Sequence, residues 1–171
     1  GGGAPGSMNH LALMYVLDAA GTDPRPLPYT SFQGDGKALA AVLGGHVDVA
    51  SISMGPSISY LEAKNLRALA VTSEKRIGGP IMKDVETARE QGADAVYPIW
   101  RGIVGPPEMP DYAVKYLQDA LIKMAKTKAW QEALEKRQWI DSFDTTGFKT
   151  FLDREGEKNI TLLDKLGLLK K

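Results

Sequence analysis

A chain of 171 residues with 43% apolar residues is long enough for about one to one and a half typical domains and a core of ordinary size. Its 21 basic and 21 acidic residues cancel, and no block of like charges forms a nucleic-acid stripe or a polybasic membrane patch. Cysteine is absent, which excludes disulfides, thiolate metal sites and a thiol nucleophile while leaving the compartment open.

No apolar run approaches the roughly 20 residues of a membrane span, and no basic-then-apolar signal opens the chain, so a signal peptide is expected to lie outside this sequence. The opening Gly1-Gly2-Gly3-Ala4-Pro5-Gly6-Ser7-Met8 has two readings, the scar of a removed tag or a native glycine-rich loop. The helical pattern directly after it favours the loop. Leu11, Met14, Tyr15 and Leu17 keep a helical period up to a glycine stop at Gly21, with Ser7 or Asn9 as N-cap. The loop therefore feeds a helix N-terminus.

Residues 27–30 then predict a short strand, and a Gly34-Asp35-Gly36 turn leads to a helix over 37–43 stopped by Gly44-Gly45. Residues 47–52 read as a buried strand, 56–64 as a helix with Pro56 in its first turn, and 66–71 as another strand. A helix over 83–91 closed by Gly92 and a strand over 95–104 come next, ending in the breaker-rich Gly105-Pro106-Pro107-Glu108-Met109-Pro110. Beyond that the pattern is helical only. Tyr112, Tyr116, Leu117, Ala120, Leu121 and Met124 share a face, a second helix starts near Trp130, and a long one spans 148–166. Alternating strands and helices predict an α/β fold with a mostly parallel sheet, and the breakers at 105–110 mark the boundary with a helical layer.

Several segments, in order, resemble the tripartite tricarboxylate transporter substrate-binding receptors, the TctC or Bug group. They are Gly6-Ser7-Met8-Asn9-His10-Leu11; Pro28-Tyr29 with Gly34 and Gly36; Leu43-Gly44-Gly45-His46-Val47-Asp48; Leu66 to Ser73 followed by Lys75-Arg76; Asp84-Val85; Gln91-Gly92; and Trp100-Arg101-Gly102 leading to Pro106-Pro107 and Pro110. Each piece alone is weak, and their order and spacing are specific. Asp84-Val85-Glu86-Thr87 lacks the proline usual in the family's Asp-Val-Pro-Thr, which alters a local turn. The resemblance implies a periplasmic binding protein type II-like lobe. Residues 1–105 would be an N-terminally truncated lobe two, and 106–171 a C-terminal helical segment returning to lobe one. It also implies a periplasmic location, a small carboxylate ligand and membrane transporter subunits as partners, with no cofactor, no metal and no nucleic acid. A lobe cut from its other half is expected to self-associate, with Leu162, Leu163 and Leu166 among the apolar residues left seeking partners.

The loop supplies the first candidate contacts. Backbone N–H groups at a helix start and the positive end of the dipole suit a carboxylate, which singles out Gly6, Ser7, Met8 and Asn9; the alternative is an ordinary hydrated helix cap. His10 is read as a further donor or as a packing residue. Ser51 and Ser53, at a strand-to-helix turn, are candidate hydroxyl donors, whereas Ser57 is either a donor or a plain helix residue. Asp48 is read as structural, paired with backbone or with Arg67, because an unneutralised carboxylate opposes an anionic ligand. Arg101 offers two parallel donors to a carboxylate and Trp100 a wall, or the two stack on each other as a cation–π pair.

Catalysis has no support in the spacing. There is no Gly-x-Ser-x-Gly elbow, no evident carboxylate pair and no phosphate-loop lysine. A second reading as the ligand-sensing effector domain of a transcription regulator stays open, because similar two-lobed folds serve that role.

Overall fold

The first helix begins where the sequence supplies a cap. In the computed structural model, which describes residues 1–137 and 139–169, helix α1 spans Met8–Ala19. Extended Ser7 is the N-cap, and its Oγ accepts the His10 N–H at 3.4 Å. The helix ends in a Schellman motif: Gly21 takes φ +75°, its N–H reaches the Asp18 carbonyl, and the Thr22 N–H reaches the Leu17 carbonyl, both at 2.9 Å. Helices α2 (Asp35–Leu43) and α3 (Met54–Glu62) end with the same pair of bonds, at Gly45-His46 and at Lys64-Asn65. Helices α4 (Asp111–Ala125), α5 (Lys128–Arg137) and α6 (Phe148–Lys165) complete the element order.

The mostly parallel sheet expected from the alternating pattern is not formed. Among the described residues, strand pairing reduces to three isolated parallel bridges, Gly2–Ser31, Gly2–Ser51 and Val71–Thr87. The α/β, type II-like lobe is therefore replaced by a helical fold with extended connections. The reasons are local. Residues 27–30 contain Pro28 and residues 95–104 contain Pro98, and a proline has no N–H to give a ladder. Residues around Ser31 and Ser51 do lie on either side of Gly2: the Gly2 N–H reaches Thr30 at 3.2 Å, the Phe32 N–H reaches Gly2 at 2.8 Å, and the Ser51 N–H reaches Gly1 at 3.0 Å. That shared segment is three glycines, which have poor strand propensity and no side chains to pack, and the chain then turns through Ala4-Pro5. Each side stops after one bridge.

The helix expected over 83–91 shrinks to one turn. Thr87 and Glu90 form a capping box: the Glu90 N–H donates to Thr87 Oγ1 at 3.1 Å and the Thr87 N–H donates to Glu90 Oε2 at 2.8 Å. Only one turn later Gly92, at φ +95°, closes it, with the Ala93 N–H on the Ala88 carbonyl. A start at Thr87 leaves residues 83–86 outside, and Glu86 instead accepts the Val71 N–H at 3.1 Å.

Two compact units result, one of Gly1–Ile99 with Glu157–Lys171 and one of Trp100–Gly156. The expected helical segment 106–171 includes residues 138, 170 and 171, which lie outside the described residues. In the first unit the core joins Leu11, Ala12 and Met14 of α1 to Tyr97 and to Leu162 of α6, with Tyr29, Leu163 and Leu166 packed around them. Leu162 is thus buried against this core and Leu163 and Leu166 pack on it, whereas Tyr116, Leu117 and Met124 of the same tail stay exposed. Ala88, Ala93 and Ala95 form a second buried cluster against Tyr15, Val16 and Ala19. In the second unit, Trp100 meets Phe148 and Phe151 edge to face, at centroid distances of 6.0 and 5.4 Å. There α4 buries no residue, and Tyr112 and Tyr116 are 79% and 72% exposed.

Candidate functional site

Three helices of the first unit start at one place. The Asn9 side chain, in the first turn of α1, donates Nδ2–H to Asp35 Oδ1 at 2.7 Å, and the Ser53 N–H, at the N-cap of α3, donates to Asp35 Oδ2 at 3.1 Å. Asp35 is itself the first residue of α2 and the only acidic residue in the first turns of these three helices. Each helix start leaves N–H groups without intrahelical partners and carries about half a positive charge. The half-buried Asp35 carboxylate sits among all three ends.

The sequence-predicted loop lies in this cluster, and its donors are already partly engaged. Gly6, at φ +79°, donates its N–H to His10 Nδ1 at 3.1 Å, and Ser7 donates its N–H to the Ala4 carbonyl at 2.9 Å. The Met8 and Asn9 N–H groups have no partner among the described residues. His10 is 6% exposed and stands edge to face on Tyr29 at 4.5 Å, so here it is a packing residue that holds the loop. Because Nδ1 accepts, the neutral ring carries its proton on Nε2.

Burial pushes the His10 imidazole below its usual 6.5. A base with a lowered folded-state value is stabilising when neutral: the contribution is complete above the unfolded value and disappears as pH falls through the folded one. Protonation also turns Nδ1 into a donor and breaks its bond from Gly6. Urea midpoints measured at about pH 7.5 and about pH 5 should therefore fall more in the native chain than in a His10→Asn variant. Equal falls would remove His10 from the acid response.

Ser51 is held at the bridge to Gly2, and the Ser53 hydroxyl makes no cap bond although Ser53 is the N-cap of α3. Both hydroxyls are half-buried and without partners among the described residues. Ser57 is buried and donates to the Met54 carbonyl at 2.7 Å, the plain helix reading. Asp48 is exposed and makes no ion pair with Arg67 among the described residues. Trp100 and Arg101 belong to the second unit. There exposed Arg101 donates Nη1–H to the Trp100 carbonyl at 3.1 Å, while the Trp100 ring packs on the two phenylalanines and not on Arg101.

Asp35 was missed at the sequence level, where Gly34-Asp35-Gly36 read as punctuation. The available signal was an acidic residue at a helix start. A separate cleft of about 220 Å³ is lined by Tyr15, Asp18, Lys158, Thr161, Leu162 and Lys165. It lies toward the far end of α1 from Asn9. Its cations are engaged, Lys165 with Asp18 and Lys158 over the Tyr97 ring at 4.7 Å.

Comparison with known proteins gives a consistent result. The family described as "Tripartite tricarboxylate transporter family receptor" matches residues 2–168. A protein of Agrobacterium vitis described as "UPF0065 protein in the TAR-I ttuE-ttuC' intergenic region" is 29% identical over 143 residues, covering 83% of this chain and 37% of that protein. The crystal structure of a TctC solute binding protein from Polaromonas, without ligand, aligns with a TM-score of 0.77 and 28% identity, over 96% of this chain and 56% of that one. The chain thus spans only part of the length of either relative.

Proposed function

The chain belongs to the tripartite tricarboxylate transporter receptor family, and on that premise we propose that it forms part of a solute-binding receptor that captures a small carboxylate outside the cytoplasm and delivers it to membrane transporter subunits. The family is one of receptors, in keeping with the expectation that the chain does no chemistry on its ligand. No helix among the described residues is long and apolar enough to cross a membrane.

The observation that carries the reading is the convergence of three helix starts on Asn9, Asp35 and Ser53. A ligand carboxylate placed there gains the Met8 and Asn9 N–H groups and the Ser51 and Ser53 hydroxyls, each a donor with no competing partner. Gly6, Ser7 and His10 act one step back, by holding the loop that presents those amides. Within the second unit, Arg101 uses one nitrogen on the Trp100 carbonyl and keeps its other donors open. Self-association of this chain would begin at the exposed face of α4.

The test is recovery of the bound compound. After equilibration with a pool of di- and tricarboxylates and amino acids, washing and denaturation, mass spectrometry should return one member of the pool, unaltered and near one per chain. A chemically altered product, or no retained compound, overturns the receptor reading.

A further inference from the structure

The glycine-rich loop before α1 is tied down at three points. The Tyr29 hydroxyl donates to the Gly3 carbonyl at 2.8 Å, the Ser7 N–H to the Ala4 carbonyl at 2.9 Å, and the Gly6 N–H to His10 Nδ1 at 3.1 Å. Only the third tie can be broken by a proton. His10 is 6% exposed, and its neutral ring already holds a proton on Nε2, so a second one must enter at Nδ1. Two donors would then face each other where the bond from Gly6 had been.

No neighbour compensates the charge that this proton brings. Tyr29, edge to face on the ring, is kept neutral by burial, which raises its phenol above the usual 10.0. From α6, Leu163 lies 3.9 Å from where a Cβ on Gly6 would stand, and it is apolar. From α2, the Asp35 carboxylate is taken by the Asn9 side chain and the Ser53 N–H. Burial alone lowers the value of the His10 ring, with no charged group contributing. An unpaired buried imidazolium is costly until water reaches it, so the segment that its Nδ1 holds has to move.

We infer that His10 is an acid-sensitive latch: neutral, it holds the loop of residues 3–7 closed on the start of α1, and protonated, it releases that loop while α1 stays folded. The helix stays because Leu11, Ala12 and Met14 pack on Tyr97 and Leu162, contacts that owe nothing to the bond from Gly6. The inference concerns the loop alone and stands whatever the chain binds.

Nitrogen NMR of the native chain at about pH 7.5 should show Nδ1 as the bare ring nitrogen of His10 and Nε2 as the protonated one. Hydrogen exchange is then followed from about pH 7.5 down to about pH 4.5, each rate taken relative to that of a free peptide at the same pH. The Gly6 amide should lose at least about tenfold in protection, the size of one hydrogen bond, through a transition below 6.5, the ordinary imidazole value. The α1 amides from Ala12 to Val16 should keep theirs. His10→Asn offers an acceptor that does not titrate, so its Gly6 protection should be flat over the same range. A proton on Nδ1 at about pH 7.5, unchanged Gly6 protection, or α1 amides opening in step with Gly6 each overturns the inference, as does a variant whose Gly6 amide still opens in acid. Because the first three are read on the native chain, the inference stays decidable even if the variant fails to fold.

Discussion

Replacing Tyr97 with alanine should cost the first unit about 4 kcal/mol, the range for removing a fully buried aromatic ring. Tyr97 is 0% exposed and stands in the core between α1 and α6. Its N–H reaches the Thr72 carbonyl at 2.8 Å, and its hydroxyl donates to Asn159 Oδ1 at 2.5 Å. The ring lies 6.0 Å from Tyr15 and under the Lys158 ammonium. One side chain thus links three parts of the unit far apart in sequence. Two variants separate the contributions: Tyr97→Phe keeps the ring and removes only the bond to Asn159, which should cost about 1–2 kcal/mol and leave Asn159 wanting a partner. Urea denaturation of both variants checks the ordering. A Tyr97→Ala loss no larger than that of Tyr97→Phe would mean that the ring is not what joins α6 to α1.

Most helices were legible in the sequence because their signals are local. Ser7, Gly21 and Gly44-Gly45 are caps and stops that act within a turn, and the apolar period of residues 112–124 and 148–166 survives any tertiary arrangement. The helices α2 and α3 begin two residues earlier than their patterns suggest, at Asp35 and Met54. The strands were not legible, because a ladder depends on a partner elsewhere in the chain. Residues 47–52 have the composition of a strand, yet the segment they meet is Gly1–Gly3, which cannot carry a ladder. At the site, the helix-start loop was recognisable from Gly6 to His10 as a motif, but its internal bonds were not. His10 sits four residues after Gly6, the spacing at which a ring in the first helical turn returns to the loop amide. The role of Asp35 was out of reach for a different reason: the meeting of α1, α2 and α3 at their first turns is a tertiary event.

Gly2 is the position where that tertiary arrangement is most exposed to a single methyl group. A Cβ added there would lie 2.6 Å from the Tyr29 hydroxyl and 2.8 Å from the Ser51 carbonyl oxygen. The first neighbour is held in place, since the Tyr29 hydroxyl donates to the Gly3 carbonyl at 2.8 Å and its ring packs on His10. The second is backbone and cannot rotate away. Gly2→Ala should therefore force apart the two chains that flank Gly2, at a cost of about 3 kcal/mol, the upper part of the range for overpacking a fitted position. The ordinary benefit of replacing glycine, a less flexible unfolded chain worth about 0.4–1 kcal/mol, is too small to offset it. The displacement should also reach the site, because Ser51 leads directly to Ser53 and Tyr29 braces His10 below the loop. Affinity for the retained carboxylate and the urea midpoint should then fall together, whereas Gly36→Ala, where an added Cβ meets nothing within 4 Å, should leave the midpoint close to that of the native chain. A Gly2→Ala chain with native stability would show that the pairing of Gly2 with both Ser31 and Ser51 is not what holds the loop in place.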